Sequence, residues 1–352
     1  MKVLVVRPGP HFSVLDVHRG WVKGLNDCGA NVVDFNFDDQ MEFYASAEMP
    51  HARGAPQFTV EQAAMLASKG VEAACYEFNP DVVVVISGFF LPPALYDLIR
   101  SRGTKIVLVH TESPYEDDKQ VARAQFADLN VLNDPTNIDR FPPGTIYLGH
   151  CFDPSVHYRR TPIADAASDF VFVGTGYQSR INFLEQVCWD GIDVALAGQW
   201  RQLEKDSGLR KFLAHDILEC CDNAQAVELY SSAKVAANLY RKEGTESDGW
   251  AVGPREIELA ACRTFFLREP RGEGDELFPM LPTFDSPGDF EEKLRWWLAH
   301  DNQRKDAAFA AQQAVQGRTF QNIAAKMLHH LCASSPTRLG TKPANSRSNY
   351  YG

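Results

Sequence analysis

Several short segments of this 352-residue chain are apolar at almost every position: KVLVV (2–6), DVVVVIS (81–87), KIVLVH (105–110), DFVFVG (169–174) and DVALAG (193–198). A strand with one wet face alternates apolar and polar residues, whereas a strand apolar throughout is covered on both faces. Such strands belong to parallel sheets flanked by helices, because parallel neighbours need a crossover and the crossover is usually helical. The pieces in between fit. NVVDFNF (31–37), LNVLN (129–133) and TIYLG (145–149) read as further strands. VLDVHRGWVKGLNDCG, VEQAAMLASKGVEAACYEF and PPALYDLIRSRG carry helical patterns, the first and last closed by glycine. Strands alternating with helices predict an α/β, doubly wound first domain over residues 1–150.

The rhythm breaks at CFDPSVHYRRTPIADAAS, which has two prolines, basic residues and then small ones; it reads as a linker over 151–168. A second alternating series follows over 169–332. Its strands are DFVFVG, DVALAG, KVAANLY (234–240) and TFFLRE (264–269), with a helix from about Ser179 to Trp189 and amphipathic closing helices that include TFQNIAAKMLHHLC. Residues 333–352 are polar and rich in Ser, Pro and Gly, the composition of a flexible tail. Two doubly wound domains with their strand ends facing one another would enclose a central cleft, since ligands of open α/β sheets bind beyond the carboxyl ends of the strands.

The charge balance narrows the partners. A formal net charge of −11 repels phosphate backbones, and Lys and Arg are scattered without a basic patch, so a nucleic-acid partner is disfavoured. The eight cysteines contain no C-x-x-C pair and no zinc spacing, which fits a reduced, cytoplasmic setting. The apolar run at the N-terminus is too short for a signal peptide, and no segment is long enough to span a membrane. There is no convincing D-x-D element; Asp38-Asp39 and Asp117-Asp118 read as solvated loops, so no metal is expected.

Two motifs carry chemistry. In DFVFVGTGYQSR a strand ends at Gly174, and Gly176 and Tyr177 lead into a helix with Arg180 in its first turn. Glycines let backbone N–H groups approach a phosphate at a helix start, and Arg180 would add a full charge. The third glycine and downstream acid of a dinucleotide fingerprint are missing, so NAD is not indicated. In GPREIELAACRTFFLREP (253–270), Gly253 and Pro254 mark a helix start. Arg255 and Glu258 then lie three apart on one face, as a ligand grip or as a plain surface ion pair.

R-x-x-E-x-x-A-C before an apolar strand resembles the donor site of group-1 glycosyltransferases of the GT-B fold, in particular the spore-maturation-protein-like (CgeB-type) branch. The strand–G-x-G-Y–x–x–R segment resembles the start of that branch's second domain, and YLGHCFDPSVHY resembles its inter-domain crossing. The branch usually has A-C-G where this chain has Ala261-Cys262-Arg263. The resemblance implies two tandem Rossmann-like domains and transfer of a sugar from a nucleotide-diphosphate donor, a UDP-sugar first, without other cofactors. Glu258 would hold the ribose hydroxyls, while Arg255, Arg180 and the helix start at Gly253 would neutralise the diphosphate. Many relatives are encoded by bacteriophages, which implies a phage-encoded enzyme with a macromolecular acceptor, protein or glycan, such as a virion protein. The first domain would then supply the general base, from His11, Asp16 or Glu112 at strand ends. His110 ends a strand too, His18 reads as structural and His150 as a hinge residue. A nucleotide-sugar 2-epimerase and a DNA-modifying glycosyltransferase are the alternatives.

Overall fold

The computed structural model describes residues 1–9, 15–46, 58–243 and 248–333. The first half runs β1 (Lys2–Val6), α1 (Leu15–Asp27), β2 (Asn31–Phe35), α2 (Phe37–Ser46), α3 (Val60–Phe78), β3 (Val82–Ile86), α4 (Pro93–Ser101), β4 (Lys105–His110), α5 (Asp117–Ala124), β5 (Leu129–Leu132) and β6 (Ile146–Tyr147). Its six strands form one parallel sheet in the order β2-β1-β3-β4-β5-β6. The apolar runs behave as their composition requires. Val3, Val5, Val84 and Val107 pack on one face of the sheet, Leu4, Val6, Val83 and Leu108 on the other, and all eight are fully buried.

The second half runs β7 (Ser168–Val173), α6 (Gln178–Glu185), β8 (Val194–Ala197), α7 (Asn223–Ser232), β9 (Ala233–Asn238), α8 (Pro254–Ala261), β10 (Phe266–Arg268), α9 (Gly272–Leu277), α10 (Pro287–Ala299), α11 (Asp301–Val315) and α12 (Phe320–Ala333). Four parallel strands in the order β10-β9-β7-β8 make its sheet. Its core is aromatic: Phe170, Phe172, Phe266, Phe290 and Trp200 are fully buried.

The expected boundaries need two corrections. NVVDFNF does not run as a strand to residue 37, because the Asn36 side chain accepts from the Asp39 amide at 3.1 Å and starts α2 at Phe37. The larger one concerns α12, expected in the second domain. Its buried residues Phe320, Ile323, Ala324, Met327 and Leu331 join the core of the first, beside Trp21, Leu25 and the β1 valines. Amphipathicity shows that a helix buries a face, not which domain receives it. The receiving surface is a groove on α1. A Cβ on Gly20 would stand 2.2 Å from the Phe320 ring, and one on Gly24 2.5 Å from the Phe320 carbonyl oxygen. The chain therefore crosses between domains twice, and the crossings are bonded together. The Phe152 amide donates to the Arg318 carbonyl at 2.9 Å, and the Phe320 amide to the Phe152 carbonyl at 3.2 Å. The tail over 334–352 lies outside the described residues.

The groove gives a first test. Alanine at position 24 would favour an isolated helix by about 1 kcal/mol. Here its methyl meets a backbone oxygen that cannot rotate away, and overpacking of this kind costs about 1–3 kcal/mol. Gly24→Ala is therefore expected to lower the unfolding free energy in a denaturant titration; an increase would show that α12 does not dock there.

Candidate functional site

The carboxyl ends of the two sheets face each other, as their cross-domain bonds show. Glu112, two residues beyond β4, pairs with Arg241 beyond β9 at 3.2 Å. Asp134, beyond β5 and buried, accepts from the amides of Trp250 and Ala251 at 3.0 and 2.9 Å. Arg271, beyond β10, donates to the Tyr115 hydroxyl at 3.0 Å and lies over the Tyr240 ring.

On the second domain's edge, Arg255 does not form the surface pair with Glu258 that its spacing allows. Its guanidinium turns across the ends of two strands, Nε donating to the Val173 carbonyl at 2.6 Å and Nη1 to Asn238 Oδ1 at 2.8 Å, over the Phe172 ring. This approach explains Gly174, where a Cβ would stand 2.2 Å from Nη2 of Arg255. Gly176 is fixed likewise by Trp200, 2.4 Å from its would-be Cβ. Arg180 is buried beside Arg255, donating to the Leu239 and Thr175 carbonyls at 2.8 and 2.9 Å, and it lies over the Tyr177 ring. Burial, then the neighbouring Arg255, brings its pKa down to about 9. Among the described residues neither arginine has a carboxylate partner. Two cations thus share the floor of the cleft, with the Asn238 Nδ2 group beside them buried and without a hydrogen bond.

The helix starts are less free than the sequence implied. The Gly253 amide donates to the buried Glu256 carboxylate at 2.8 Å, one half of a capping box, since glycine has no side chain to accept in return. Glu256 also accepts from the Tyr240 hydroxyl. At α6, the Ser179 amide and hydroxyl donate to Glu243 at 2.7 and 2.9 Å, so a carboxylate from the loop after β9 sits on that helix start. The end of α8 settles the missing glycine. Arg263 takes the left-handed position itself, with φ of 56°, and the Arg263 and Thr264 amides donate to the Ala260 and Leu259 carbonyls at 2.9 Å each, as in a Schellman motif. The turn is as tight as with glycine, and the Arg263 guanidinium lies over Phe309.

Glu258 points from α8 toward the crossing segment. Its Oε1 is 4.0 Å from Nε2 of His157, and burial raises its pKa while His157 and Arg255 draw it down. Asp16, in the first turn of α1 and 3.5 Å from Arg19, belongs to the first domain and is influenced by His157 as Glu258 is. Burial lifts its carboxyl above the usual range, Arg19 and His157 pull it down, and its charge in turn raises Glu258. Glu112 is also raised by burial and drawn down by Arg241. His11 lies outside the described residues. His110 is buried against Asn130 at 2.8 Å, with burial lowering its pKa to about 4, and His18 is buried 2.9 Å from Asp34, so both are packed within the first domain. His150, 3.3 Å from Asn133, is likewise lowered to about 4 by burial. Asp117 is not in a solvated loop. It is buried and accepts from Ser113, Gln120 and Asn137. Sequence reasoning missed His157, Asn238, Glu243 and Glu256; a glutamate at the third position of the helix, where its carboxylate can reach back to the first free amide, was a signal for the last.

All eight cysteines are free. Among the described residues there is no cluster of three or more His, Cys, Asp or Glu placed to hold a metal, and no helix long and apolar enough to cross a membrane.

Two Rossmann-like domains facing across a cleft, with cations at the second domain's strand ends, define the GT-B fold of glycosyltransferases. Residues 165–329 match the family model described as "Glycosyl transferase-like". The chain is similar to the spore protein CgeB of Bacillus subtilis (strain 168), 20% identical over 270 residues that cover 71% of this chain and 82% of that one. Among solved structures it is similar to the sucrose-phosphate synthase (tll1590) of Thermosynechococcus elongatus, with a TM-score of 0.64, 13% identity, and 95% and 100% of the two chains covered. Anabaena Alr3699/HepE, in complex with UDP-glucose, gives a TM-score of 0.63 at 13% identity over 95% and 100% of the chains. The chain thus has the GT-B fold, and its second half matches a glycosyl transferase-like family.

Glu256 yields a prediction on pH. Burial raises its carboxyl from 4.5 to about 7 in the folded chain. The folded state therefore binds the proton more tightly than the unfolded one. The resulting stability is fully present below about pH 4.5 and is lost as the pH rises to about 7, a change on the order of 3 kcal/mol. Glutamine keeps the cap and cannot titrate. Between these pH values Glu256→Gln should gain on the wild type in unfolding free energy; parallel pH profiles would contradict the assignment.

Proposed function

We propose that the protein is a glycosyltransferase that moves a sugar from a UDP-sugar to a hydroxyl of a protein or glycan acceptor. The observation that carries this reading is the adjacent pair Arg180, buried, and Arg255, half-buried, two cations without a carboxylate partner among the described residues at the carboxyl edge of the second sheet. Adjacent, partly desolvated cations favour an anion between or above them, and a nucleotide diphosphate would supply two negative phosphates at that edge. The charge that builds on the diphosphate as the sugar leaves would be met by guanidiniums already held in place by Val173, Asn238, Leu239 and Thr175, so little reorganisation accompanies the step. The same cations can supply this neutralisation without a metal. The start of α6 adds anion-binding capacity, seen in its hold on the Glu243 carboxylate, which the donor would displace. Glu258, beyond Arg255 on α8, would receive the ribose hydroxyls.

Asp16 would act as the general base. It interacts electrostatically with His157 and Glu258 from the first domain, and its raised pKa improves its proton affinity. Glu112 is engaged by Arg241 and would serve to hold the domains together. The UDP-glucose in the HepE structure makes UDP-sugars the first donors to test. The net charge of −11 favours an acceptor poorer in phosphate than a nucleic acid.

The direct experiment is incubation with a panel of UDP-sugars and candidate acceptors, with mass detection of glycosylated product. Transfer with release of UDP is expected, and epimerised donor without transfer would sink the reading. In calorimetry, Arg255→Ala and Glu258→Ala should each weaken UDP binding by about 10- to 100-fold, the loss of charged hydrogen bonds worth about 1.5–3 kcal/mol. Unchanged affinity for every common nucleoside diphosphate would refute the site. Glu243→Ala, which removes the competing carboxylate, should bind UDP more tightly than the wild type. Asp16→Asn should bind UDP normally while turnover falls at least 100-fold.

A further inference from the structure

The crossing segment CFDPSVHY contributes a side chain that the proposed chemistry leaves unused. His157 is 5% exposed, and its Nε2 is buried without a hydrogen-bond partner among the described residues. Its ring orientation is fixed from the other side, where the Asp153 amide donates to Nδ1 at 3.3 Å and the His157 amide donates back to the Asp153 carbonyl at 2.8 Å. A ring nitrogen that accepts an amide proton carries none of its own, so the neutral imidazole bears its hydrogen on Nε2. That N–H lies 4.0 Å from Oε1 of Glu258, beyond hydrogen-bond range by about 1 Å. A buried donor with no partner is rare in folded proteins, and a small turn of the Glu258 carboxylate would supply one.

We propose that His157 is a positioning residue that holds one carboxylate oxygen of Glu258, aiming the other at the ribose of the donor, so that the crossing segment sets preference for ribonucleotides. The proposal rests on the reading of Glu258 as the ribose contact. His157 sits where the chain passes between domains, so this grip would depend on how the segment lies, and not on α8 alone.

Two variants separate the hydrogen bonds of the ring. His157→Asn keeps an acceptor for the Asp153 amide and removes the donor at the Nε2 position; His157→Gln keeps a donor there. Calorimetry on the full chain would use UDP and 2′,3′-dideoxy-UDP as probes. His157→Asn is expected to lose about tenfold in affinity for UDP and nothing for the dideoxy probe, while His157→Gln stays within about twofold of the wild type for both. Adding His157→Asn to Glu258→Ala should have no further effect. If His157→Asn does not fold, His157→Leu takes its place in the comparison. Equal losses on both probes would make His157 a packing residue and overturn the proposal, as would unchanged UDP affinity in a chain where Glu258→Ala loses it. If Glu258→Ala itself leaves the preference for UDP intact, the ribose reading fails first and this proposal falls with it.

Discussion

The second domain is arranged around one close contact, the Arg255 guanidinium lying where a side chain on Gly174 would be. Through it α8 is bonded to the ends of β7 and β9, by Val173 and Asn238. The contact makes Gly174 a steric requirement and brings Arg255 beside Arg180, which is itself bonded to backbone carbonyls. Carbonyls solvate a guanidinium but do not neutralise it. The fold therefore keeps two positive charges partly dehydrated at one spot, an arrangement that costs stability and is eased by an anion. Structural ion pairs are usually neutralised within the chain, and among the described residues these two cations are not.

Around that centre the cleft is lined by groups that bond across it. Tyr115, Glu112 and Asp134 of the first domain meet Arg271, Arg241 and the amides of residues 250 and 251 of the second. Nearly all of these contacts are polar, so opening the cleft exchanges them for water at small net cost, whereas each apolar core stays within its own sheet. The loop after β9 contributes twice, Arg241 to Glu112 and Glu243 to the start of α6. A single segment thus touches both the inter-domain contact and the helix start suited to phosphate.

Much of this was legible in the sequence because burial on both faces leaves a strong signature. The runs KVLVV, DVVVVIS and DFVFVG could only be covered parallel strands, and Gly29 and Gly103 end their helices with positive φ as expected. Gly174, Gly176, Arg180 and Arg255 do gather at one strand edge, while Glu258 faces the crossing segment. Spacing along a helix was not enough to say where Arg255 turns, because the Val173 carbonyl that attracts it lies on β7, 82 residues away. The same limit applies to α12, whose host is chosen by a groove at Gly20 and Gly24 that periodicity does not describe. His157 was hidden for another reason. Its value depends on a tautomer set by Asp153 and on a carboxylate about 100 positions further along the chain.

The paired crossings bear on how the two halves can move. One covalent tether lets two bodies swing, twist and slide in any direction. Here two run side by side, joined by the backbone bonds of Phe152 to Arg318 and Phe320. Strands tied in this way bend together readily, but neither can lengthen, and shearing one past the other breaks the bonds between them. Opening and closing thus reduce to rotation about a fixed line. A door on two pins returns to the same jamb each time, and strand ends that part along such a path come back into register without a search.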